Sequence, residues 1–224
     1  MTLRRFVLLL MVAVFTSAAF AHSGETILLS SSYFFESDSA LGIQNSIAAG
    51  AGYQTGELLS IEATAVLGFN EAPFVISLDT QIRGAPDPLI YRALLMRRAF
   101  GDYGISEYSF SGSVGVELRR VHLQLGYSYR FLEAESESGS HHLLYRLELF
   151  PILLKRYSLS YVLYNFSPVF TGNISDMHHG IVNKITVLPD LDLIAELSIS
   201  NPGQIAFSSY ISGFALHLTV RYRL

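Results

Sequence analysis

The 224-residue chain contains no cysteine and no tryptophan, and only 15% of its residues are charged. Without cysteine, neither disulfide bonds nor thiolate metal ligands hold the fold together. No stretch after residue 21 is long and apolar enough for a transmembrane helix, which needs about 20 such residues. Half of the residues are nevertheless hydrophobic. A water-soluble protein of this size would have to expose too much of that apolar surface.

The first 21 residues have the pattern of a secretory signal peptide. Two arginines near the start are followed by a short apolar core, and Ala19-Phe20-Ala21 is a small-x-small cleavage motif. The apolar core is about half the length that a spanning helix needs. We therefore expect an exported protein that is cleaved after Ala21, with one domain over residues 22–224. Removing the two signal arginines from a chain of net charge −4 leaves −6, which argues against a nucleic-acid partner.

Strict alternation of apolar and polar residues is the clearest pattern in the remaining chain. From Val121 to Phe131 every second residue is apolar, and the residues between them are polar or small. The C-terminus repeats the pattern, with an apolar row from Phe214 to Leu224. A period of two indicates a strand whose faces meet different surroundings. Each row spans 11 residues, about the length that a tilted strand needs to cross a bilayer.

Alternating segments separated by turn residues predict a series of such strands. They lie near residues 25–36, 41–54, 58–69, 73–83, 104–119, 120–133, 141–152, 156–167, 179–188, 190–200 and 208–224. The segment Pro88 to Phe100 fits neither a period of two nor a helical period. If it is a strand, the total is 12 and both chain ends lie on one side, as in single-chain bacterial barrels. If it is a helix inside a loop, residues 25–36 drop out of the ring as well and ten strands remain.

Short connections alternate with longer ones from residue 104 onward. The short ones are Arg119-Arg120, Leu154-Lys155-Arg156 and Pro189-Asp190; the longer ones are 133–140, 167–179 and 201–208. In bacterial barrels the tight turns face the periplasm and the longer loops face outside. The sequence therefore predicts a basic periplasmic rim and an acidic outer rim, with acidic residues such as Glu36 and Glu133.

Tyrosine supplies the aromatic residues expected at the two membrane interfaces. A tyrosine ring can stay in the apolar zone while its hydroxyl remains hydrated. The candidates for this girdle are Tyr33, Tyr53, Tyr108, Tyr127, Tyr129, Tyr157, Tyr161 and Tyr222.

The signal sequence, the alternating strands and the final Tyr222-Arg223-Leu224 together resemble bacterial outer-membrane β-barrel proteins of the small, porin-like type. The resemblance implies an all-β fold, a transmembrane antiparallel up-and-down barrel of about 12 strands, or alternatively 10. It also implies outer-membrane lipid and the barrel-assembly machinery as partners. Leu224 stands where such proteins often end in Phe, and Thr219 where Gly is often found. The class includes channels, adhesins and lipid-modifying enzymes, so it implies location and fold more than activity.

The alternation also predicts which side chains line the barrel interior. The lumen-lining candidates are Glu62, Asp79, Glu117, Arg119, His122, Arg130, Arg146, Glu148, Glu196, His217, Arg221 and Arg223, together with Arg83, Gln124, Lys184 and Asp192. Carboxylates and cations are nearly balanced, so they should pair across neighbouring strands. Such a lumen forms either a polar plug or a channel of mixed polarity. Twelve strands enclose a space between that of a filled eight-stranded barrel and that of an open porin.

These features predict a narrow passive channel for small polar solutes that needs no cofactor. Some 12-stranded members of the resembled class pass small acidic sugars along basic tracks. Such a track would consist of Arg119, Arg130, Arg146, Arg221 and Arg223. The alternative is a closed-lumen barrel that serves as a structural or surface-adhesion protein through loops 133–140 and 167–179.

A lipid-modifying enzyme is the second alternative. The segment Ser175 to His179 combines a hydroxyl, a carboxylate and two imidazoles, and His141-His142 lies in another predicted loop. Nucleophilic catalysis needs a serine that is hydrogen-bonded to an oriented histidine, and loop neighbours rarely provide that geometry. The sequence therefore predicts no catalytic residue. It also predicts no metal site, because the four histidines lack a third fixed ligand.

Overall fold

The computed structural model describes residues 25–38, 42–56, 58–69, 74–84, 88–100, 104–133, 138–165, 177–201 and 211–224. The predicted signal peptide and its cleavage site after Ala21 lie outside these ranges. So does most of the predicted loops 133–140, 167–179 and 201–208. Within the described ranges, no helix has the length and apolarity needed to cross a bilayer.

The described residues form twelve antiparallel strands. They are β1 (Glu25–Asp38), β2 (Gly42–Thr55), β3 (Leu59–Phe69), β4 (Phe74–Arg83), β5 (Leu89–Phe100), β6 (Ile105–Leu118), β7 (Val121–Glu133), β8 (Ser138–Leu153), β9 (Tyr157–Tyr164), β10 (Met177–Leu188), β11 (Leu191–Asn201) and β12 (Gly213–Arg223). Each strand pairs with the next one in sequence, and β1 pairs with β12, so the sheet closes into a barrel. The predicted all-β, up-and-down barrel is therefore confirmed.

The ambiguous segment Pro88 to Phe100 forms strand β5, so the count of 12 is confirmed and the alternative of 10 is wrong. Its alternation is hard to see because both of its faces carry apolar residues. Leu94 and Met96 are buried inside the barrel, whereas Leu95 between them is 46% exposed on the outside.

The apolar rows identified in the sequence face outward. On β7, Leu123, Leu125 and Tyr127 are all exposed, while Ser128 on the opposite face is fully buried. The outer wall of the other strands is apolar in the same way, as on β12, where Leu218 and Val220 are exposed. This arrangement, with apolar residues outside and a mostly polar interior, is that of a transmembrane barrel.

The barrel closes tightly between its first and last strands. Residues from Leu28 to Asp38 pair with residues from Arg223 to Gly213. Beyond that register, the N–H of Ile27 donates to the carbonyl of Leu224 at 3.1 Å, and the N–H of Leu224 donates back at 2.9 Å. The last residue of the chain is thus part of the closing ladder, which leaves no unpaired sheet edge there.

Among the described residues, two connections contain a glycine with positive φ and two strand pairs have a shift of register. Gly56 and Gly104 adopt positive φ angles of 53° and 63° at connections, a conformation that glycine adopts without steric cost. The β8–β9 register shifts between Leu149 and Ile152. Pro151 lies within that shift, as expected because proline cannot donate a ladder hydrogen bond.

The two ends of the barrel carry different connections between strands. The turn end carries the β2–β3, β4–β5, β6–β7, β8–β9 and β10–β11 connections, and also Glu25 and Leu224. The loop end carries the other connections. In bacterial outer-membrane barrels the end with the tight turns faces the periplasm. The half of the lumen next to the turn end is the turn-side half, and the half next to the loop end is the loop-side half.

Candidate functional site: the barrel lumen

An apolar layer occupies the loop-side half of the lumen. Phe34, Ala48, Val66, Val75 and Met96 form one buried cluster, and none of them is more than 6% exposed. They come from the five consecutive strands β1 to β5. Ala48 is paired with Val66 and Val66 with Val75, so these three lie at one level of the wall. We call these five residues the apolar layer.

A buried charge cluster lies beside the apolar layer. Glu107 accepts hydrogen bonds from Arg130 Nε at 3.1 Å and Arg130 Nη2 at 2.5 Å. The Nη2 atom of Arg98 lies 3.3 Å from the same carboxylate. The three side chains are only 3% to 16% exposed. Because water is largely excluded, each charge depends on its neighbours for compensation.

Aromatic and imidazole rings fill the part of the loop-side lumen formed by β9 to β12 and β1. His217 lies 3.2 Å from a carboxylate oxygen of Glu36 and packs edge-on against Phe34. The hydroxyl of Tyr164 donates to Glu196 at 2.5 Å, and its ring stacks on His178. With the apolar layer and the charge cluster, these contacts make the loop-side half a packed region.

The turn-side half of the lumen holds open space instead. A cavity of about 760 Å³ extends there from the β6–β7 turn to the middle of the barrel. We call it the turn-side cavity. Its lining contains Glu117, Arg119, His122, Arg146, Glu148, Ser158, Ser160, Lys184, Glu196 and Arg221, with a few apolar residues such as Phe150 and Ile194. Charges of both signs therefore face one space that is large enough for water and small solutes.

Cations of the turn-side lumen are paired with carboxylates across neighbouring strands. Arg92 contacts Asp79 with two hydrogen bonds of 2.7 and 2.6 Å. Arg83 and His122 both lie 3.3 Å from Glu117. Further pairs join Arg146 to Glu148 and join both Lys184 and Arg223 to Asp192. This pairing leaves a wall of nearly neutral net charge.

Arg221 is the most loosely paired of these cations. It lines the turn-side cavity and also two smaller cavities of about 150 and 260 Å³. Its carboxylate partner, Glu62, is 3.8 Å away, and the buried Nε atom of Arg221 has no hydrogen-bond partner. Arg221 therefore borders three internal cavities, and its Nε–H group is available to donate a further hydrogen bond.

The missing side chain of Gly50 makes room for a hydrogen bond that positions Glu62. The Ser30 hydroxyl donates to Glu62 at 2.9 Å from β1, although β2 lies between their strands. At Gly50 on β2, a Cβ atom would lie 2.4 Å from Ser30 Oγ and 2.9 Å from Glu62 Oε1. Only glycine leaves room for the contact across β2.

The structure places most of the sequence-predicted lumen residues in the two halves just described. Glu62, Asp79, Glu117, His122, Arg146, Glu148, Arg221 and Arg223 belong to the turn-side half, whereas Arg130 and His217 belong to the loop-side half, with Glu196 between them. Arg119 lies in the exposed β6–β7 turn, at the mouth of the turn-side cavity. Five arginines of the predicted basic track are thus spread around the wall, and those within strands each contact a carboxylate.

The structure changes the prediction for the four histidines. His141 and His142 lie on β8, and His178 and His179 lie on β10. The predicted strands already contained His141, His142 and His179, and β10 extends far enough to include His178, so none of the four lies in a loop. Adjacent positions point to opposite faces, which separates each pair. Within the described ranges, no group of three or more His, Cys, Asp or Glu is arranged to hold a metal ion.

Among the described residues, a serine–histidine contact joins two side chains that the sequence did not predict as a catalytic pair. Ser140 Oγ lies 2.9 Å from His142 Nε2 on the same face of β8. That face is the inner one, because Leu143 beside it is exposed on the outside. The predicted Ser175 and Asp176 lie outside the described residues.

Among the ionisable residues of the lumen, Glu36, Arg92, Arg98 and Glu107 were not predicted there from the sequence. Arg92 and Arg98 lie on β5, whose doubly apolar pattern hid its phase. Glu107 lies near the start of β6 and belongs to the buried charge cluster. Glu36, predicted at the outer rim, instead faces inward and contacts His217. Following the alternation of β1 two residues further would have placed Glu36 inside.

Tyrosine side chains form the outer girdle at both ends. At the loop end, the Tyr161 hydroxyl lies 2.7 Å from His179, and Tyr127 hydrogen-bonds His141. Near the turn end, the Tyr157 hydroxyl donates to Asn183 at 3.1 Å. Polar partners on the outer wall thus hold tyrosine hydroxyls at both levels of the barrel, as expected where a lipid-facing surface meets water.

Comparison with solved structures identifies the same architecture in bacterial outer-membrane proteins. An outer-membrane channel from Pseudomonas putida F1 is 11% identical, with 91% of this chain and 97% of that chain covered and a TM-score of 0.59. The NanC porin is 10% identical, with 88% and 100% covered and a TM-score of 0.58. The translocator domain of the autotransporter NalP from Neisseria meningitidis is 15% identical, with 96% and 93% covered and a TM-score of 0.54.

Protein-family models and curated proteins gave no match to this sequence. The structural likeness therefore establishes the fold, and the same fold serves both channels and an autotransporter. This chain folds as a bacterial outer-membrane β-barrel with twelve strands.

Proposed function

We propose that this barrel is an outer-membrane channel that lets small polar solutes cross passively through a narrow lumen. The observation that carries the proposal is the turn-side cavity of about 760 Å³, which is lined by charges of both signs. A polar space of this kind inside a lipid-facing barrel suits hydrated solutes. Rings of charged side chains set the selectivity of such pores.

The loop-side half limits the size of what can pass. The apolar layer and the Arg98–Glu107–Arg130 cluster are buried, so a solute must displace or bypass them. We therefore expect small conductance and slow passage of neutral sugars in comparison with wide porins. Because the wall carries charges of both signs, we expect the channel to select solutes by their size more than by the sign of their charge.

Planar-bilayer recording of the refolded barrel tests this proposal. We expect reproducible small steps of current. Arg221→Ala should shift the preference between K⁺ and Cl⁻ toward K⁺, because Arg221 faces three internal cavities. Arg97→Ala, which removes an exposed arginine from the outward row of β5, is the matched control and should leave selectivity unchanged. Complete absence of current at every voltage would refute the channel.

Arg130→Ala has a different expected result in the same recording. Arg130 is a partner of buried Glu107, so its removal should loosen the loop-side packing and raise the conductance. A change in selectivity without a change in conductance would place Arg130 in the solute path instead.

A closed-lumen barrel is the second candidate, and the packed loop-side half is the observation that favours it. In that case the barrel would act as a structural or surface protein through its loop end. Liposome swelling separates the two functions: no entry of glycine or of small sugars, combined with a silent bilayer recording, would favour the closed barrel.

Location and processing belong to the same proposal. The outer-membrane fold and the apolar outer wall support insertion into the outer membrane with the help of the assembly machinery. N-terminal sequencing of the protein from the outer-membrane fraction should give His22 as the first residue. A start before Ala21 would refute the proposed cleavage.

A further inference from the structure

Four cations stand together at the turn end, on two neighbouring hairpins. Arg119 and Arg120 form the β6–β7 turn, and Lys155 and Arg156 lie in the β8–β9 turn. All four residues are exposed. Among the ion pairs of the described residues, none involves any of the four. Inward-facing arginines of the strands, by contrast, each have a carboxylate within 3.8 Å.

Backbone hydrogen bonds fix both hairpins in the wall of the barrel. The N–H of Phe150 on β8 donates to the carbonyl of Arg120 at 3.0 Å. The N–H of Thr186 on β10 donates to the carbonyl of Arg156 at 2.9 Å. Since β7 pairs with β8, the two hairpins are adjacent. Ordered backbone thus presents the four cations on one sector of the rim.

Exposed leucines border the cations on the same hairpins. Leu118 directly precedes Arg119, and Leu154 directly precedes Lys155; both leucines are at least half exposed. Apolar residues followed directly by long basic side chains match the boundary between acyl chains and headgroups. The cations therefore stand where the lipid-facing wall of the barrel ends.

We propose that this basic patch (Arg119, Arg120, Lys155 and Arg156) binds the anionic headgroups of phospholipids in the leaflet at the turn end. Each exposed lysine or arginine near a membrane surface attracts anionic lipid, and arginine can bind a phosphate with two parallel hydrogen bonds. The patch ends at the next hairpin, whose turn contains Asp190. The interaction would thus bind anionic lipid on one side of the barrel only.

The test uses the full mature chain reconstituted in phosphatidylcholine vesicles with spin-labelled phosphatidylglycerol or spin-labelled phosphatidylcholine. Electron paramagnetic resonance gives the association of each lipid with the barrel. We expect phosphatidylglycerol to be preferred about twofold to fivefold at low salt. Substituting all four cations with Gln should bring the ratio to about one, and 0.5 M NaCl should do the same because salt screens the attraction.

Two variants keep this test decisive. Arg119→Lys with Arg120→Lys and Arg156→Lys retains the charge and should keep most of the preference. If the fourfold variant does not fold, the double variant Lys155→Gln with Arg156→Gln takes its place. It leaves the β6–β7 turn intact and should lose about half of the preference for phosphatidylglycerol. An unchanged lipid ratio in the folded fourfold variant would overturn the proposal. A change confined to ion selectivity would instead assign the patch to solutes at the cavity mouth, which also overturns it.

Discussion

Glu107 and Glu117 lie on the same strand, face the same lumen and both contact an arginine. Glu107 belongs to the loop-side half, where its side chain is 8% exposed and two arginines surround it. Glu117 borders the turn-side cavity, where its side chain is 28% exposed and its contacts are 3.3 Å long. Glu107 and Glu117 are ten positions apart on β6, and over that length the ion pairs change from buried to partly exposed.

The difference teaches that charge pairing has two roles in one barrel. In the loop-side half, the charges have lost most of their water, so they hold the packing in one arrangement and are costly to disrupt. In the turn-side half, solvent screens the pairs, and each contributes little to stability. Those side chains remain available to a passing solute.

The largest expected effect compares the two carboxylates directly. Glu107→Ala leaves Arg98 and Arg130 buried without their carboxylate, so we expect it to lower the free energy of unfolding by about 3–5 kcal/mol. Glu117→Ala removes a partly hydrated pair and should cost no more than about 1 kcal/mol. Urea unfolding of both variants in lipid vesicles measures the difference. Equal losses would mean that the two halves are equally hydrated.

The apolar layer provides the next comparison, between neighbours on β5. Met96 is buried inside the lumen, and Leu95 is exposed on the outer wall. Met96→Ala removes side-chain volume from the loop-side packing and should raise single-channel conductance about twofold or more, since a hydrophobic constriction limits passage. Leu95→Ala should leave the conductance unchanged. If both variants conduct as the native barrel does, the apolar layer does not limit the current.

The smallest expected effect concerns two glycines. Gly50→Ala places a methyl group against Ser30 and Glu62, whereas a Cβ at Gly112 meets no atom within 4 Å. We expect Gly50→Ala to move Glu62 and thereby weaken its contact with Arg221. The preference for Cl⁻ should then rise modestly in bilayer recordings. Gly112→Ala is the matched control and should leave ion selectivity unchanged. If both variants have the selectivity of the native barrel, Glu62 does not line the path of the solute.

The sequence was sufficient for the architecture because alternation follows directly from the unlike faces of a strand. The rows on β7 and β12 predicted both their outward faces and their length. On β5, Leu94 and Met96 break the apolar-out rule because they pack inside the lumen. Met96 packs in the apolar layer, whose other members come from β1 to β4, and a contact across the lumen leaves no local signal in the sequence.

The sequence predicted which residues face the lumen better than it predicted how they are packed there. Alternation assigned Arg130 and Arg221 to the interior, yet it gave no information on how deeply each is buried. Burial depends on how the inward side chains pack together, as where Arg98 and Glu107, paired on neighbouring strands, are joined by Arg130. His178 shows a related limit: β10 begins two residues before the predicted strand, so a residue predicted in a loop lies in the wall.

Access to single cysteines tests the division of the lumen most directly, since the chain has no cysteine of its own. Ser109 is 2% exposed in the loop-side half, and Ser158 lines the turn-side cavity. A charged, water-soluble thiol reagent added to the reconstituted barrel should modify Ser158→Cys readily and Ser109→Cys at least about 100-fold more slowly, as expected for a side chain from which water is excluded. Equal reaction rates at the two positions would contradict a lumen that is packed in one half and hydrated in the other.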